Sequence, residues 1–417
     1  MNISKLFYKR ISSENYLIPD TSLLYLLSLA IFLVTALARE SFLAAFVKLD
    51  KDIVFKAIIF VCITLLAMKE YKTRRYKFIL FIYLAIIVVL AVLIKRVAYF
   101  TTAITLLYLY SARDVDFRLI AKVALAITTF MLFTIIALSH FGVIQNYIFQ
   151  PDTDRPREFL GFRYALFAPA LLFNVMALAL YIWKKDMSLF LVVVGAVINQ
   201  WLYKKTDSRM SYIFTLLIIL TAVIIKIHLP VSFFPEQKRE YINGIVRPIF
   251  KFGVIFSFVL CAGISIFISI NYNEDNRFQK KLNSIMTQRL NYGKSSYEEY
   301  GVTFLGQNVP WVGNGLNVYG EASEEDRLYV DNVYLQFLQH YGILFFSLVM
   351  CLLTYAMYCL VKEKQWMLIY ILLIVALHGI MDDLVLHIWY NTFWLAMTPY
   401  VFKDKIDAER ILRVEVG

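Results

Sequence analysis

Apolar runs long enough to cross a lipid bilayer recur from about residue 21 to residue 402, and this recurrence restricts the fold more than any other feature. A hydrocarbon core of ~30 Å takes about 17–25 helical residues to cross. Within it each backbone N–H and C=O has to be satisfied inside the segment, so such runs are expected as helices. They fall at about 21–38, 53–68, 76–94, 97–112, 118–140, 162–183, 187–203, 211–229, 249–270, 343–361, 366–380 and 388–402. The expected fold is an all-α polytopic membrane protein of about twelve spans, forming one integral membrane domain over residues 1–417. Composition points the same way. Hydrophobic residues make up 60% of the chain, against about 45–50% in a soluble domain.

The net charge of +11 would suit a nucleic-acid partner, but the basic residues gather in short loops between the runs. There they act as topology determinants, and nucleic acid is not expected. With the N-terminus inside, the cytoplasmic loops carry Lys69, Lys72, Arg74, Arg75 and Lys77, then Arg113 and Arg118, Lys184 and Lys185, Arg247, and Lys362 and Lys364. Both termini are then cytoplasmic. The first run has no small-residue cleavage site before Arg39 and reads as a retained anchor. Cys62, Cys261, Cys351 and Cys359 lie inside apolar runs without metal-ligand spacing and read as small buried apolar residues.

One polar stretch interrupts the series, at 271–342. The orientation above places it outside. Loops of this length are functional or disordered, and Trp311 with its neighbouring Tyr and Phe residues argues against disorder. Residues 277–292 set Phe278, Leu282, Ile285 and Met286 at helical spacing, with Lys280, Lys281 and Arg289 on a polar face. This predicts one amphipathic helix at the membrane surface.

Arg163, Arg209 and Arg289 all fall on the outer side. Any one of them reads equally as a side chain snorkelling to headgroups. Three together suit a pyrophosphate, because the guanidinium fork is always charged and matches phosphate oxygens. Arg155 and Arg157 stand among Asp152, Asp154 and Glu158 and read as paired within their own loop. Asp331, at the return to the membrane, reads either as a helix N-cap or as a general base for a sugar hydroxyl. His340 lies nine residues on and faces another side. His378, Asp382, Asp383 and His387 read as a hydrogen-bonded loop in preference to a metal site, since His378 and Asp382 are i,i+4 but further ligands are missing.

Several short motifs occur in order: Gly161-Phe162-Arg163, Thr206-Asp207-Ser208-Arg209, Gly313-Asn314-Gly315, Asp331-Asn332-Val333-Tyr334-Leu335 through Tyr341-Gly342, and HGIMDDLVLHIWYN from His378. In these the chain resembles the O-antigen and capsular polysaccharide polymerases (the Wzy group) and their relatives the O-antigen ligases. The ligases carry H-N-x-x-L-Q-x-L-x-E-x-G, where this chain has Asp331 for the His and His340 for the Glu, which favours the polymerases. The resemblance implies a metal-independent, cofactor-free glycosyltransferase of the GT-C class in the cell membrane. It would join oligosaccharide repeat units carried on undecaprenyl pyrophosphate, moving the growing chain onto the terminal sugar of a new unit. Implied partners are membrane lipids, a flippase and a chain-length regulator. Implied roles are pyrophosphate binding for Arg163, Arg209 and Arg289, catalysis by Arg209 and Arg289 with Asp331 as base, and glycan contacts for Trp311, Tyr319, Tyr334 and His340. A ligase, or a transporter or flippase of the same glycan, is the alternative.

Overall fold

Helix α1 (Asp20–Arg39) carries Asp20 in its first turn and Arg39 in its last, charges that complement the helix dipole. The computed structural model describes residues 20–47, 51–73, 81–82, 97–150, 156–227, 247–313, 315–317, 320–322 and 328–401. The third expected run, 76–94, lies almost wholly outside these, as do the terminal segments. The described residues are mostly helical. Where the sequence reads as one domain over 1–417, the structure divides into two units, Met1–Ile144 with His387–Gly417, and Gln145–Leu386.

In the first unit α1 packs against α2 (Lys51–Thr73) and α4 (Phe117–His140), and α3 (Val97–Ala112) packs against α14 (Trp394–Val401). The buried stripe of α1 (Tyr25, Leu29, Phe32, Leu33, Ala36, Leu37) has helical spacing, as an amphipathic contact requires. Polar groups are matched across it: Ser28 Oγ donates to Cys62 O at 3.0 Å and Tyr108 OH donates to Ser28 O at 3.0 Å. The end of α2 meets the turn after α3 through a buried ion network. Arg113 forks onto Glu70 (Nη2–Oε2 2.6 Å, Nη1–Oε1 3.2 Å). Lys69 Nζ donates to Glu70 Oε1 and Ser111 O, both at 2.9 Å, and to Asp114. Lys69 and Arg113, read from sequence as topology signals, are thus also neutralised within the fold.

The second unit is built around α5 (Phe167–Trp183), buried on nearly every face and started with Pro169 in its first turn, where its missing N–H costs nothing. Before it, β1 (Ile148–Phe149) and β2 (Arg157–Glu158) form a short antiparallel pair. Helices α6 (Leu189–Thr206), α7 (Arg209–Ile227) and α13 (Trp366–His378) pack on α5. Gly195 of α6 permits the approach, since a Cβ there would lie 2.5 Å from Met176 Cε. The expected run 249–270 is a bent pair, α8 (Arg247–Ile255) and α9 (Ser257–Ile270), meeting at 72°.

Among the described residues five helices are long and apolar enough to cross a membrane: α1, α4, α5 with its 3-10 extension to Asp186, α7 and α12 (Val333–Lys362). Counting the bent α8–α9 pair as one span makes six. Two of the four cysteines depart from expectation: Cys62 and Cys261 are buried, but Cys351 is exposed and Cys359 half-buried on α12.

The polar stretch differs from its sequence reading in two places. The single helix expected over 277–292 is two, α10 (Arg277–Ile285) and α11 (Arg289–Tyr300). Thr287 and Gln288 between them take positive φ (51° and 67°), and Asn283 Oδ1 accepts from the Leu290 and Asn291 amides, capping α11 from α10. The run expected from 343 begins earlier, at Val333, in one element, α12, broken at Gly342 (φ 80°, ψ 171°). The break leaves helix-end groups that residues 303–307 satisfy. Ile343 and Leu344 amides donate to Thr303 O and Phe304 O, both at 3.1 Å, and Gln307 N–H donates to His340 O at 3.1 Å.

Candidate functional site

The N-cap of α12 is Asn332, whose Oδ1 accepts from the Tyr334 and Leu335 amides at 3.1 and 3.4 Å. This corrects the cap expected at Asp331, and it releases the Asp331 carboxylate for another partner. That partner is Arg289: Nε lies 3.2 Å from Asp331 Oδ2, with the two side chains only 13% and 9% exposed. The contact is an ion pair without hydrogen-bond alignment, since Arg289 Nε makes no hydrogen bond. Arg289 Nη1 donates instead to Thr287 Oγ1 at 2.9 Å, so the left-handed turn before α11 fixes the guanidinium. Arg289 was expected on a solvent-facing polar surface, but α11 starts at this residue and turns it inward.

Burial alone would push the Arg289 guanidinium down, yet Asp331, Tyr164, Asp382 and Asp383 hold it above its ordinary value. The last two arrive from the turn after α13. Asp382 Oδ2 lies 3.2 Å from His378 Nε2, one helical turn back, and the His378 ring sits between Phe173 and Phe214. Asp383 Oδ2 accepts from Tyr329 OH at 2.6 Å and from Gln336 Nε2 at 3.0 Å. Burial, followed by repulsion from Asp331 and Asp382, pushes the Asp383 carboxyl up to about 7 against these two hydrogen bonds. Burial beside Asp383 also raises the Tyr329 phenol well above its ordinary value. His387, the fourth member of the sequence cluster, belongs to the other unit and stacks on Trp389.

The other expected residues have separate settings. Arg163 stands before α5, which begins at Phe167 where the apolar run was expected from 162. Its Nη1 donates to Leu316 O at 3.2 Å, while the Leu316 amide donates to Arg163 O at 2.9 Å. Arg209 Nη2 lies 3.7 Å from Asp207 Oδ2, and Arg157 Nη2 lies 3.8 Å from the same oxygen. Asp207 ends α6 in a left-handed conformation (φ 52°), which a short polar side chain tolerates. Arg157 therefore belongs with Arg209. Its reading as a residue paired within its own loop missed this, because the pairing spans fifty positions and no local pattern marks it. Just after β2, Phe159 meets the Tyr164 ring edge-on at 6.3 Å, and Tyr164 is one of the groups acting on Arg289.

Trp311 stacks on His340 at 5.1 Å and donates from Nε1 to Ser296 Oγ at 3.0 Å. Tyr334 is buried and its OH donates to Ala376 O at 2.7 Å, so its ring belongs to the seam between α12 and α13. Tyr319 lies outside the described residues, as do Asn314 and the acidic run 323–327. Among the described residues no three His, Cys, Asp or Glu side chains are grouped to hold a metal ion.

The arrangement unites a fixed buried cation, three carboxylates and two neutral donors. It fixes a positive charge in place beside carboxylates that can accept a proton. No family model, curated protein or solved structure matches the chain.

Proposed function

We propose that this protein is a polysaccharide polymerase of the cell membrane, joining oligosaccharide repeat units linked to undecaprenyl pyrophosphate. The observation that carries the reading is the buried Arg289–Asp331 pair, set beside Asp382 and Asp383 where the polar stretch re-enters an apolar helix. In this reading the chain has about twelve spans in a GT-C-like arrangement, with both termini cytoplasmic and residues 271–342 outside. The exposed apolar side chains of α10, Phe278 and Ile285, together with Lys280 and Lys281, then rest on the outer leaflet.

The reaction moves the growing chain from its carrier to a hydroxyl on the incoming unit. Charge develops on the leaving pyrophosphate, and guanidinium groups fixed in advance stabilise it without reorganising. Arg289 does this from within the buried cluster, and Arg163, Arg209 and Arg157 from the turns around α5–α7. Asp331 orients Arg289. Trp311 and His340, stacked on one another at the loop, offer a face for a sugar ring. A flippase supplies the units and a chain-length regulator acts on the product.

The decisive experiment incubates purified protein with lipid-linked repeat units and separates the products by size. A ladder formed without an energy source supports the polymerase. Transfer of a single preformed chain to a different acceptor would make it a ligase, and movement of units without new bonds would make it a transporter.

A further inference from the structure

The three carboxylates around Arg289 are not equivalent. Asp331 faces the guanidinium and Asp382 faces the His378 imidazole, so each has a basic partner. Asp383 is met only by neutral donors, Tyr329 and Gln336, and both enter on Oδ2, leaving Oδ1 without a hydrogen bond among the described residues. A buried carboxylate without a cation of its own holds a proton more readily than its neighbours do.

We infer that Asp383 is the proton acceptor of the transfer reaction, a role the sequence reading gave to Asp331. The inference rests on the polymerase reading. The acceptor sugar O–H gives its proton to Asp383 Oδ1 as its oxygen lone pair forms the new bond to the anomeric carbon. The anomeric carbon–phosphate oxygen bond breaks, and its electron pair leaves on the pyrophosphate beside Arg289. Asp383, now neutral, returns the proton to water. Tyr329 and Gln336 hold the carboxyl plane through Oδ2 in both states.

Burial and the neighbouring carboxylates bring the Asp383 carboxyl to about 7, where a base is half-formed and its proton affinity still useful. The ionisable groups around it are Tyr329, Asp331 and Arg289 from the polar stretch and Asp382 from its own turn, with His378 of α13 one contact further on.

The test uses full-length protein in detergent with lipid-linked oligosaccharide extracted from cells in which the gene is deleted, and follows ladder formation between pH 5.5 and 8.5. Wild type should accelerate as pH rises through about 7. Asp383→Asn keeps an oxygen for Tyr329 and should lose roughly 100-fold or more in rate, together with the pH limb. Imidazoles as a class titrate in the same range, so His378→Gln assigns the limb, which should persist there. Asp383→Glu, with the carboxyl displaced by one methylene, should recover part of the rate and a shifted limb. A wild-type ladder with Asp383→Asn within tenfold of it, or with the limb lost only in His378→Gln, overturns Asp383 and leaves the polymerase standing. If Asp383→Asn fails to fold, an Asp383→Glu limb unshifted from wild type overturns it equally. No ladder from wild type overturns the polymerase reading itself.

Discussion

Gly306 and Gly342 meet backbone to backbone: a Cβ built on Gly342 would lie 2.2 Å from the Gly306 amide nitrogen, and one on Gly306 would lie 2.4 Å from His340 O. Both also hold positive φ, 91° and 80°. Gly342→Ala and Gly306→Ala should each cost about 3 kcal/mol or more, from a backbone conformation that L side chains avoid plus the clash. Gly253 in α8 has open space around it, and Gly253→Ala should be neutral or slightly stabilising. Thermal melts of the three variants in one detergent check this, and an unaffected Gly342→Ala would show that the break is not fixed by its glycine.

Arg289→Ala leaves Asp331, Asp382 and Asp383 buried around a missing cation. Removing one partner of such a pair costs about 3–5 kcal/mol, and the polymer should disappear while single lipid-linked units accumulate. Arg289→Lys keeps the charge but not the fork and should retain part of the stability and little of the activity. Arg209, half exposed and 3.7 Å from Asp207, should behave differently. Arg209→Ala should abolish polymer with less than about 1 kcal/mol lost. Normal long-chain product from either alanine variant would remove that arginine from the pyrophosphate site.

The raised Asp383 carboxyl makes a prediction about stability that is separate from activity. Its folded-state value of about 7 stands above the ordinary 3.8, so the folded protein binds the extra proton in between. Stability from this group is therefore fully present below about 3.8, declines as pH rises through the window, and is gone above about 7. Asp383→Asn should flatten that decline. Denaturation midpoints at a series of pH values, compared between the two proteins, measure it directly.

In the first unit, Glu70 receives both Arg113 and Lys69 within a network whose side chains are almost wholly buried. Glu70→Ala takes the carboxylate from Arg113, while Lys69 keeps Asp114 and Ser111 O, and should cost about 3–5 kcal/mol. Glu70→Met with Arg113→Met, which removes the fork as a pair, should cost distinctly less than the sum of the single changes. Melting curves of the single and double variants give the coupling.

Helix positions were the most legible part of this chain, because an apolar run and a helix share one cause. The runs at 21–38, 118–140 and 211–229 correspond to α1, α4 and α7 within two residues at each end. Local pairings were legible too: His378 and Asp382, four apart on the chain, do meet. What the sequence conceals is the choice between equivalent neighbours and the meeting of distant ones. Asp331 and Asn332 are both good caps, and only the register of α12 selects Asn332. The helical periodicity of 277–292 continues through Thr287 and Gln288, where Asn283 imposes a break that no spacing rule reveals. Arg157 with Asp207, and Arg289 with Asp382 and Asp383, are joined only by the folded chain.

The hydrogen bonds between residues 303–307 and the break in α12 separate two kinds of continuity. Along the covalent chain, Thr303 and Phe304 belong to a connecting segment, the sort of place chosen for an epitope tag or a protease site. Along the hydrogen-bond ladder they are rungs of a helix that begins thirty residues later. A tag inserted at 303–307 would be a lesion in the span itself, and a linker-scanning map of this protein would record an intolerant site where a drawing of its connections shows only a loop.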